Sequence, residues 1–297
     1  MNIKCLLLFV FSLFCYQASV ADDEKLGHGS VSLTYQLISV DGFDGTGGEF
    51  PIGPVDTHTL NLEVEYTFKN RWTVSAGLPF VRKRYTGPAQ DPHNPALHAP
   101  PGVESDFVDD GDYHSRFQDF HLGLTYHARY GSFRFDPYVN FGVPSNSYTF
   151  FGHAAVGQRL LRSSVGSGFT YLPPFSDFYL HTSIGYEFVE ETLGVDISHW
   201  RLNGEFGYFV RPNLTTKLFF IGKRGGGLEF PNEINPGDPR WFQHDRLVQH
   251  NFHNVGVGVD WAVNEQYNVS LSFMTQTHSE QVHILDYAVN MGVSWGF

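Results

Sequence analysis

The last thirteen residues alternate strictly between large apolar and small or polar side chains. The even positions carry Asp, Ala, Asn, Gly, Ser and Gly. The odd positions carry Leu285, Tyr287, Val289, Met291, Val293, Trp295 and Phe297. A period of two places all the large side chains on one face of an extended strand, which a helix cannot do. The segment therefore predicts a β-strand with one continuous apolar face.

The same alternation recurs along the chain and predicts twelve strands. Between many of them lie only a few residues, so the strands follow one another as hairpins. The predicted strands lie near residues 30–40, 58–68, 72–83, 117–127, 133–143, 162–171, 178–188, 198–209, 214–222, 250–263, 267–277 and 284–297.

Short and long connections alternate between these strands. The short ones lie at 69–71, 128–132, 172–177, 210–213 and 264–266, and aromatic residues flank them. The long ones lie near 41–57, 84–116, 144–161, 189–197, 223–249 and 278–283. This pattern is typical of an all-β, antiparallel up-and-down outer-membrane barrel with short periplasmic turns and long extracellular loops. A soluble sandwich or lipocalin-like barrel is the alternative, but here the large aromatics share one face and the other face holds Gly, Ser, Asn and charge.

The N-terminus has the features of a secretory signal peptide. One positive charge precedes an apolar stretch over 5–16, and Ser19 and Ala21 offer small residues at the cleavage positions. We expect cleavage after Ala21, leaving residues 22–297 as one barrel domain in the bacterial outer membrane. Both cysteines, Cys5 and Cys15, leave with the signal, so the mature chain has neither disulfides nor thiol chemistry.

The C-terminal strand resembles the signal by which bacterial outer-membrane barrels are recognised for insertion. Its aromatic and aliphatic side chains end in a terminal phenylalanine. We therefore expect the barrel assembly machinery and outer-membrane lipids as partners. The residues that carry this signal are Tyr287, Val293, Trp295 and Phe297.

If the apolar face meets lipid, the alternate positions line the lumen, and acids outnumber bases among them. This predicts small-molecule solutes, with a mild preference for cations or neutral molecules. A path for solutes and a set of salt bridges that brace a filled lumen are both compatible with these residues. The predicted lumen residues are Glu63, Glu65, Asp119, His121, Arg134, Asp136, Tyr138, His181, Glu187, His199, Arg201, Asn203, Glu205, Lys217, Asp260 and Asp286.

The loop 84–116 is the best candidate for a constriction because it is long and rich in proline. Its acidic end includes Asp109, Asp110 and Asp112 around Gly111, a group that could hold a hard cation such as calcium. The spacing matches no complete calcium loop, so a solvated acidic surface is the better interpretation. The chain has 15 histidines, but none forms a complete ligand set, and we predict no metal and no cofactor.

Enzyme and nucleic-acid functions find little support. Lys plus Arg is 19 against 31 Asp plus Glu, which excludes a basic nucleic-acid surface. Some outer-membrane barrels hydrolyse lipids with Ser and His near the rim, and Ser145, Ser147 and His153 lie in one predicted loop. The sequence around His153 lacks the local pattern of those enzymes, so we predict a non-enzyme.

The hairpin over residues 60–72, followed by Gly77-Leu78-Pro79-Phe80, resembles the outer-membrane proteins of the phenol-degradation meta-pathway family. Gly142-Val143-Pro144 echoes that strand ending. The resemblance implies a signal-bearing barrel that moves small, hydrophobic or aromatic molecules, and it supplies no functional residues. The alternative function is a non-conducting structural or adhesive barrel that acts through the loops 84–116 and 223–249.

Overall fold

The computed structural model describes residues 27–69, 71–87, 107–234 and 238–297. The expected signal peptide lies outside these residues. One antiparallel sheet closes on itself, because the last strand pairs with the first. The strands are β1 (His28–Gly45), β2 (Gly48–Phe68), β3 (Trp72–Tyr85), β4 (His114–Phe117), β5 (Asp119–Tyr126), β6 (Ala128–Tyr130), β7 (Phe133–Pro144), β8 (Arg162–Tyr171), β9 (Phe178–Val189), β10 (His199–Arg211), β11 (Leu214–Gly225), β12 (Asn251–Ala262), β13 (Tyr267–Glu280) and β14 (Val282–Gly296).

The fourteen strands make a barrel of twelve, as predicted. β4, β5 and β6 follow one another along the barrel wall, interrupted at Gln118 and His127, and together fill one place between β3 and β7. A single 3-10 turn, Trp241–Gln243, leads into a short helix, His244–Leu247, in the loop before β12. Among the described residues, no helix is long and apolar enough to cross a membrane.

Alternation decides which side chains face outward. The outward face of the long strands carries exposed apolar side chains; Leu62 is 48 % and Val257 is 52 % exposed. Rings meet across neighbouring strands at the end with the short turns, as in the stacked pair Phe133 and Tyr171, 4.6 Å between centroids. An exposed apolar band bordered by aromatic rings is the surface that a bilayer covers.

The first and last strands form the seam of the barrel. β1 and β14 pair from Ser30 opposite Gly296 onward, and the backbone groups of Gly29 and Phe297 bond reciprocally at 2.9 Å. The Phe297 ring lies over Gly29, since a Cβ there would be 2.5 Å from the ring in its present position. The terminal residue predicted as an assembly signal therefore lies at the seam, while its recognition stays a prediction.

Two predicted long connections are wrong. Residues 41–57 continue the first hairpin, with a register shift between Asp41 and Phe43, up to a turn at Gly47 and Gly48. Pro51 and Pro54 hid this strand in the sequence, yet they are tolerated because β2 pairs with β3 only from Val55 onward. The predicted linker 278–283 is a single residue, Gln281, between β13 and β14.

The described barrel wall accommodates Pro137 without a bulge. Pro137 lies within β7, opposite Ser167 of β8, with no register shift. On the other side of β7, its hydrogen-bond ladder with β5 and β6 is interrupted, because His127 separates those two strands beside Pro137. The donor that proline lacks is therefore not required there.

Candidate functional site: the barrel lumen and its loop cap

One charged group in the lumen centres on Glu187 of β9. Its carboxylate lies 3.3 Å from the Arg162 and Arg201 guanidinium groups and 3.6 Å from His199 Nε2. Asp119 lies 4.0 Å from Arg162 Nε on the other side. The strands bring these residues together because β8, β9 and β10 pair with Ser164, Glu187 and His199 in line. Two guanidinium groups thus share the Glu187 carboxylate, and Asp119 supplies a second negative charge beside Arg162.

A second group lies nearer the end with the short turns, around Asp136 of β7. Its carboxylate lies 2.7 Å from both Arg134 Nε and His127 Nδ1. His127 also hydrogen-bonds through Nε2 to Thr73 of β3 at 2.8 Å. The imidazole therefore crosses the gap between β5 and β6 and ties β7 to β3.

A third group surrounds Lys217 of β11. Its ammonium group lies 2.7 Å from Asp260 and 3.7 Å from Glu205 on the two neighbouring strands. Tyr179 donates its hydroxyl hydrogen bond to Glu205. Opposite charges on adjacent strands thus compensate one another along the inner face of the barrel wall.

The other predicted lumen residues make neutral or longer contacts, and Tyr138 occupies the space beside Gly166 and Gly185. Glu65 stands opposite Ser30 and Ser75 on the neighbouring strands. The remaining pairs are His121 with Glu63 at 3.9 Å, His181 with Thr170 at 2.9 Å and Asn203 with Ser183 at 2.9 Å.

Asp286 departs from the predicted arrangement. The ladder between β1 and β14 shifts register beside it, so Leu285 rather than Asp286 joins the inward side chains. Asp286 is exposed and lies 3.5 Å from Ser39, which stands on the outward face. One register shift in a strand reverses the face that each side chain occupies.

Arg162, Lys223 and His127 belong to the lumen but escaped the sequence analysis. Lys223 stands opposite Arg201 in the ladder of β10 and β11. His127 and Arg162 are end residues of predicted strands, and Lys223 lies one position beyond another. All three share the parity of the inward residues, so following the alternation through the strand ends would have found them. Arg162 and Lys223 add positive charge and reduce the predicted acidic excess.

The lumen holds a polar chamber of about 540 Å³. It lies on the side formed by β2 to β10, beside the group centred on Glu187. Its charged lining consists of Glu63, Asp119, His121, Arg162, Glu187 and Arg201. A chamber of this size accommodates a small organic molecule.

The other side of the lumen is apolar, which the sequence analysis did not predict. Met274, Leu285 and Ala288 are buried together, with Phe219 and Ile221 packed against them. A Cβ on Gly256 would lie 2.3 Å from the Phe219 ring, so that glycine makes room for it. The lumen therefore has its polar chamber on the side of β2 to β10, and an apolar patch on β11 to β14 and β1 that lies between the levels of Lys217 and Lys223.

Residues 145–161, which we call the inward loop, fold into the end of the barrel that carries the long loops. Tyr148 and Val156 pack against Val81, an inward residue of β3. Lys83 donates a hydrogen bond to the Ala155 carbonyl at 3.2 Å, and Gln118 donates one to the Val156 carbonyl at 2.8 Å. Among the described residues, this loop therefore narrows the barrel end, whereas most of the loop 84–116, predicted as the constriction, lies outside them.

Asp109 anchors the inward loop and is not part of a solvated acidic surface. It is fully buried, and its carboxylate accepts hydrogen bonds from the backbone N–H groups of His153 at 2.9 Å and Ala154 at 2.7 Å. Asp110 instead bonds to His114 at 2.9 Å and to the backbone N–H of Asp112. The arrangement gives no support to a shared calcium site, because the carboxylates of Asp109 and Asp110 each face donors that the chain itself supplies.

A hydrophobic core covers the barrel end with the long loops. We call it the loop cap; it comprises 190–198, 226–234, 238–250 and the hairpin tip 43–52. Its buried side chains come from separate connections, and the backbone N–H of Thr46 bonds to the Phe230 carbonyl at 2.8 Å. The buried core consists of Phe43, Leu160, Val189, Val195, Ile197, Ile234, Leu247 and Val248.

A buried histidine and aspartate group lies where the inward loop meets the loop cap. Asp245 lies 3.3 Å from His153 Nδ1, 3.5 Å from His244 Nε2 and 3.4 Å from His283 Nε2. Burial alone would raise the pKa of Asp245, but the surrounding imidazoles outweigh it and hold that pKa well below its usual range. Burial alone would lower the pKa of His153, but Asp245 outweighs it and raises that pKa.

The residues considered for lipid hydrolysis are engaged in structural contacts. Ser145 donates its hydroxyl hydrogen bond to the Phe117 carbonyl at 3.2 Å. His153 is buried against Asp245 and the Tyr85 ring. The arrangement therefore gives no support to the hydrolase hypothesis.

No protein-family model matches the sequence, and no curated protein is significantly similar to it. Among solved structures, the COG4313 outer membrane channel from Pseudomonas putida F1 has a TM-score of 0.70 at 13 % identity, covering 95 % of this chain and 100 % of that one. The NanC porin has a TM-score of 0.50 at 9 % identity, covering 90 % and 98 %. At these identities the likeness shows the fold, which is that of an outer-membrane β-barrel.

Proposed function

We propose that the chain is an outer-membrane channel for small molecules. The observation that carries the proposal is a polar chamber inside a closed barrel whose outer surface is an exposed apolar band. A membrane protein needs an apolar exterior, but a charged interior with space for a small molecule suits a solute path. The short turns would then face the periplasm and the loop cap the outside of the cell.

The proposed solutes are small, neutral or weakly charged molecules with both polar and apolar parts. The charged side of the lumen, with Glu187 and Arg201, offers hydrogen bonds and charge, while Phe219 and Met274 on the other side offer apolar contact. Small aromatic molecules have this character, and the resemblance to the phenol-degradation family agrees with it. That family relationship, like a mild preference for cations over anions, is part of the proposal.

The loop cap and the inward loop make this a channel that must open. Tyr148 is 1 % exposed, and Leu247 is fully buried at the mouth. We infer that solutes from outside the cell enter when these segments move. We therefore expect brief openings and not the steady current of an open pore.

The decisive experiment is single-channel recording of the refolded protein in a planar bilayer under a salt gradient. Glu187→Gln removes the carboxylate that lies between Arg162 and Arg201. We expect the cation-to-anion permeability ratio to fall by about threefold, because the lumen loses one negative charge and only Asp119 then remains beside the two guanidinium groups. Asp286→Asn is the matched control, because it removes the same charge outside the lumen and leaves the ratio unchanged.

A folded protein that never conducts would contradict the channel proposal. It would favour the alternative of a structural or adhesive barrel, for which the packed loop cap is the supporting observation. Equal shifts in both variants would mean that the lumen charge does not control permeation. Binding of the assembly machinery through Tyr287, Val293, Trp295 and Phe297 remains a separate prediction.

A further inference from the structure

Three imidazoles and one carboxylate converge at the junction of the inward loop and the loop cap. His153 comes from the inward loop, His244 and Asp245 from the short helix of the loop cap, and His283 from the start of β14. His153 is 6 % and His244 is 9 % exposed. Residues so distant in sequence meet only because the loops fold over the barrel mouth.

The spacing of their nitrogen and oxygen atoms is that of a metal-ligand set. One atom each of His153, His244 and Asp245 can be chosen so that all lie within 4.8 Å of one another. The three imidazole nitrogens lie 3.3, 3.4 and 3.5 Å from the carboxylate oxygens. Ligands bound tetrahedrally at about 2.0–2.1 Å from zinc are separated by about 3.4 Å.

A second observation fixes the orientation of one ligand. His244 Nδ1 lies 2.6 Å from the Trp241 carbonyl, so it donates its proton there and leaves the Nε2 lone pair directed towards Asp245. Histidines that bind metals almost always donate their other ring N–H to a carbonyl or carboxylate in this way. The Phe230 ring stacks on His244 at 5.2 Å between centroids and holds its plane.

The neighbouring charged groups, Lys83 and Asp109, hydrogen-bond to other partners and not to Asp245. Lys83 donates its hydrogen bond to the Ala155 carbonyl, and Asp109 accepts from the backbone of His153 and Ala154. Asp245 Oδ2 is buried, and the polar group that faces it is His153 Nδ1, at 3.3 Å. The carboxylate is therefore surrounded by imidazoles, with apolar rings such as Phe43 behind them.

We propose that His153, His244 and Asp245, with His283 as fourth ligand, form a binding site for a divalent transition metal of the zinc class. Imidazole nitrogens favour zinc, copper and nickel over calcium and magnesium, which prefer oxygen ligands. The site goes beyond the proposed channel function. Bound metal would join the inward loop, the loop cap and β14, the segments that must separate for the mouth to open.

The test measures Zn²⁺ binding to the refolded, full-length barrel in detergent, by competition with a chromophoric chelator. Co²⁺ serves as a spectroscopic substitute, because tetrahedral coordination gives a characteristic visible absorption. We expect one equivalent of Zn²⁺, with at least about tenfold weaker binding in both Asp245→Asn and His244→Gln. Both substitutions nearly preserve side-chain size, and heat-modifiable migration on a gel reports whether each variant is folded.

The matched control removes another histidine pair from the described barrel. The rings of His253 and His278 lie 5.2 Å apart at exposed positions and would hold an adventitious ion. The double variant His253→Gln, His278→Gln should keep the full affinity. The proposal is overturned if folded wild-type protein binds no Zn²⁺, if both site variants bind as tightly as wild type, or if only the double variant loses binding. Because the measurement needs no current, its outcome is independent of the channel proposal.

Discussion

At the scale of single residues, the position of the inward loop depends on the contact between Gly152 and Asp109. Gly152 has a φ of +85°, and a Cβ there would lie 2.8 Å from Asp109 Oδ2. The same carboxylate holds the next two backbone N–H groups of the loop. Only a glycine lets the chain turn so close to a buried carboxylate.

We predict that Gly152→Ala loosens the inward loop while the barrel stays folded. Positive φ costs alanine about 1–2 kcal/mol, and the new methyl group also displaces the Asp109 carboxylate. Hydrogen exchange measured by mass spectrometry should become about tenfold or more faster in peptides covering 145–161. Gly131→Ala is the control, since Gly131 also has a positive φ, +60°, but a Cβ there meets nothing within 4 Å. Unchanged exchange in Gly152→Ala would show that Asp109 does not hold the loop.

At the scale of elements, the first hairpin belongs to both the barrel and the loop cap. Its strand β1 pairs with β14 and its strand β2 pairs with β3. The tip of the hairpin places Phe43 against Phe230, at 5.7 Å between ring centroids. Phe43 is 3 % exposed and belongs to the buried core of the loop cap. The hairpin therefore transmits the rigidity of the sheet to the loops.

We predict that Phe43→Ala destabilises the loop cap without unfolding the barrel. Truncating a buried phenylalanine costs about 3–5 kcal/mol, and here the loss falls on contacts with the loop before β12. Limited proteolysis of the folded protein should then cleave within 226–250 at a higher rate than in wild type. Phe175→Ala, at a fully exposed position in a short turn, is the control. Equal cleavage rates for Phe43→Ala and wild type would mean that the hairpin tip does not support the cap.

The strands could be predicted from sequence far better than the loops, for a physical reason. In a membrane strand such as β12, each position faces either lipid or lumen, so the pattern reports the structure directly. The contacts of the inward loop and of Asp245 depend on segments distant in sequence, and no periodic pattern encodes them. A register shift, such as the one beside Asp286, moves side chains from one face of the sheet to the other, and the types of the residues do not reveal it. The sequence therefore predicts the barrel and much of its lumen lining, but not the fold of the inward loop or the surroundings of Asp245.

At the scale of the whole molecule, the outward apolar band should fix the depth of the barrel in a bilayer. Val257 lies in the middle of β12, whereas Val263 follows that strand at a short turn. Both are exposed side chains of the same type, at 52 % and 44 %. The two valines differ in their expected depth in the bilayer.

We predict that Val257→Arg destabilises the folded barrel far more than Val263→Arg does. An arginine facing lipid costs about 2–4 kcal/mol at the bilayer midplane and about 0–1 kcal/mol near the interface. Reversible denaturant unfolding in lipid vesicles, followed by tryptophan fluorescence, measures the two free energies of unfolding. Equal losses would show that the band of β12 is not centred in the bilayer.

The seam between β1 and β14 has a kinetic consequence. It joins residues that are separated by almost the entire length of the chain, so its loop-closure entropy is the largest that any strand pair here must overcome. Until it forms, β1 and β14 each leave a row of unpaired backbone groups, which hydrocarbon does not tolerate. Closure of the seam is thus the natural last step of folding. Until then, the unpaired edge of β14 needs a temporary partner strand.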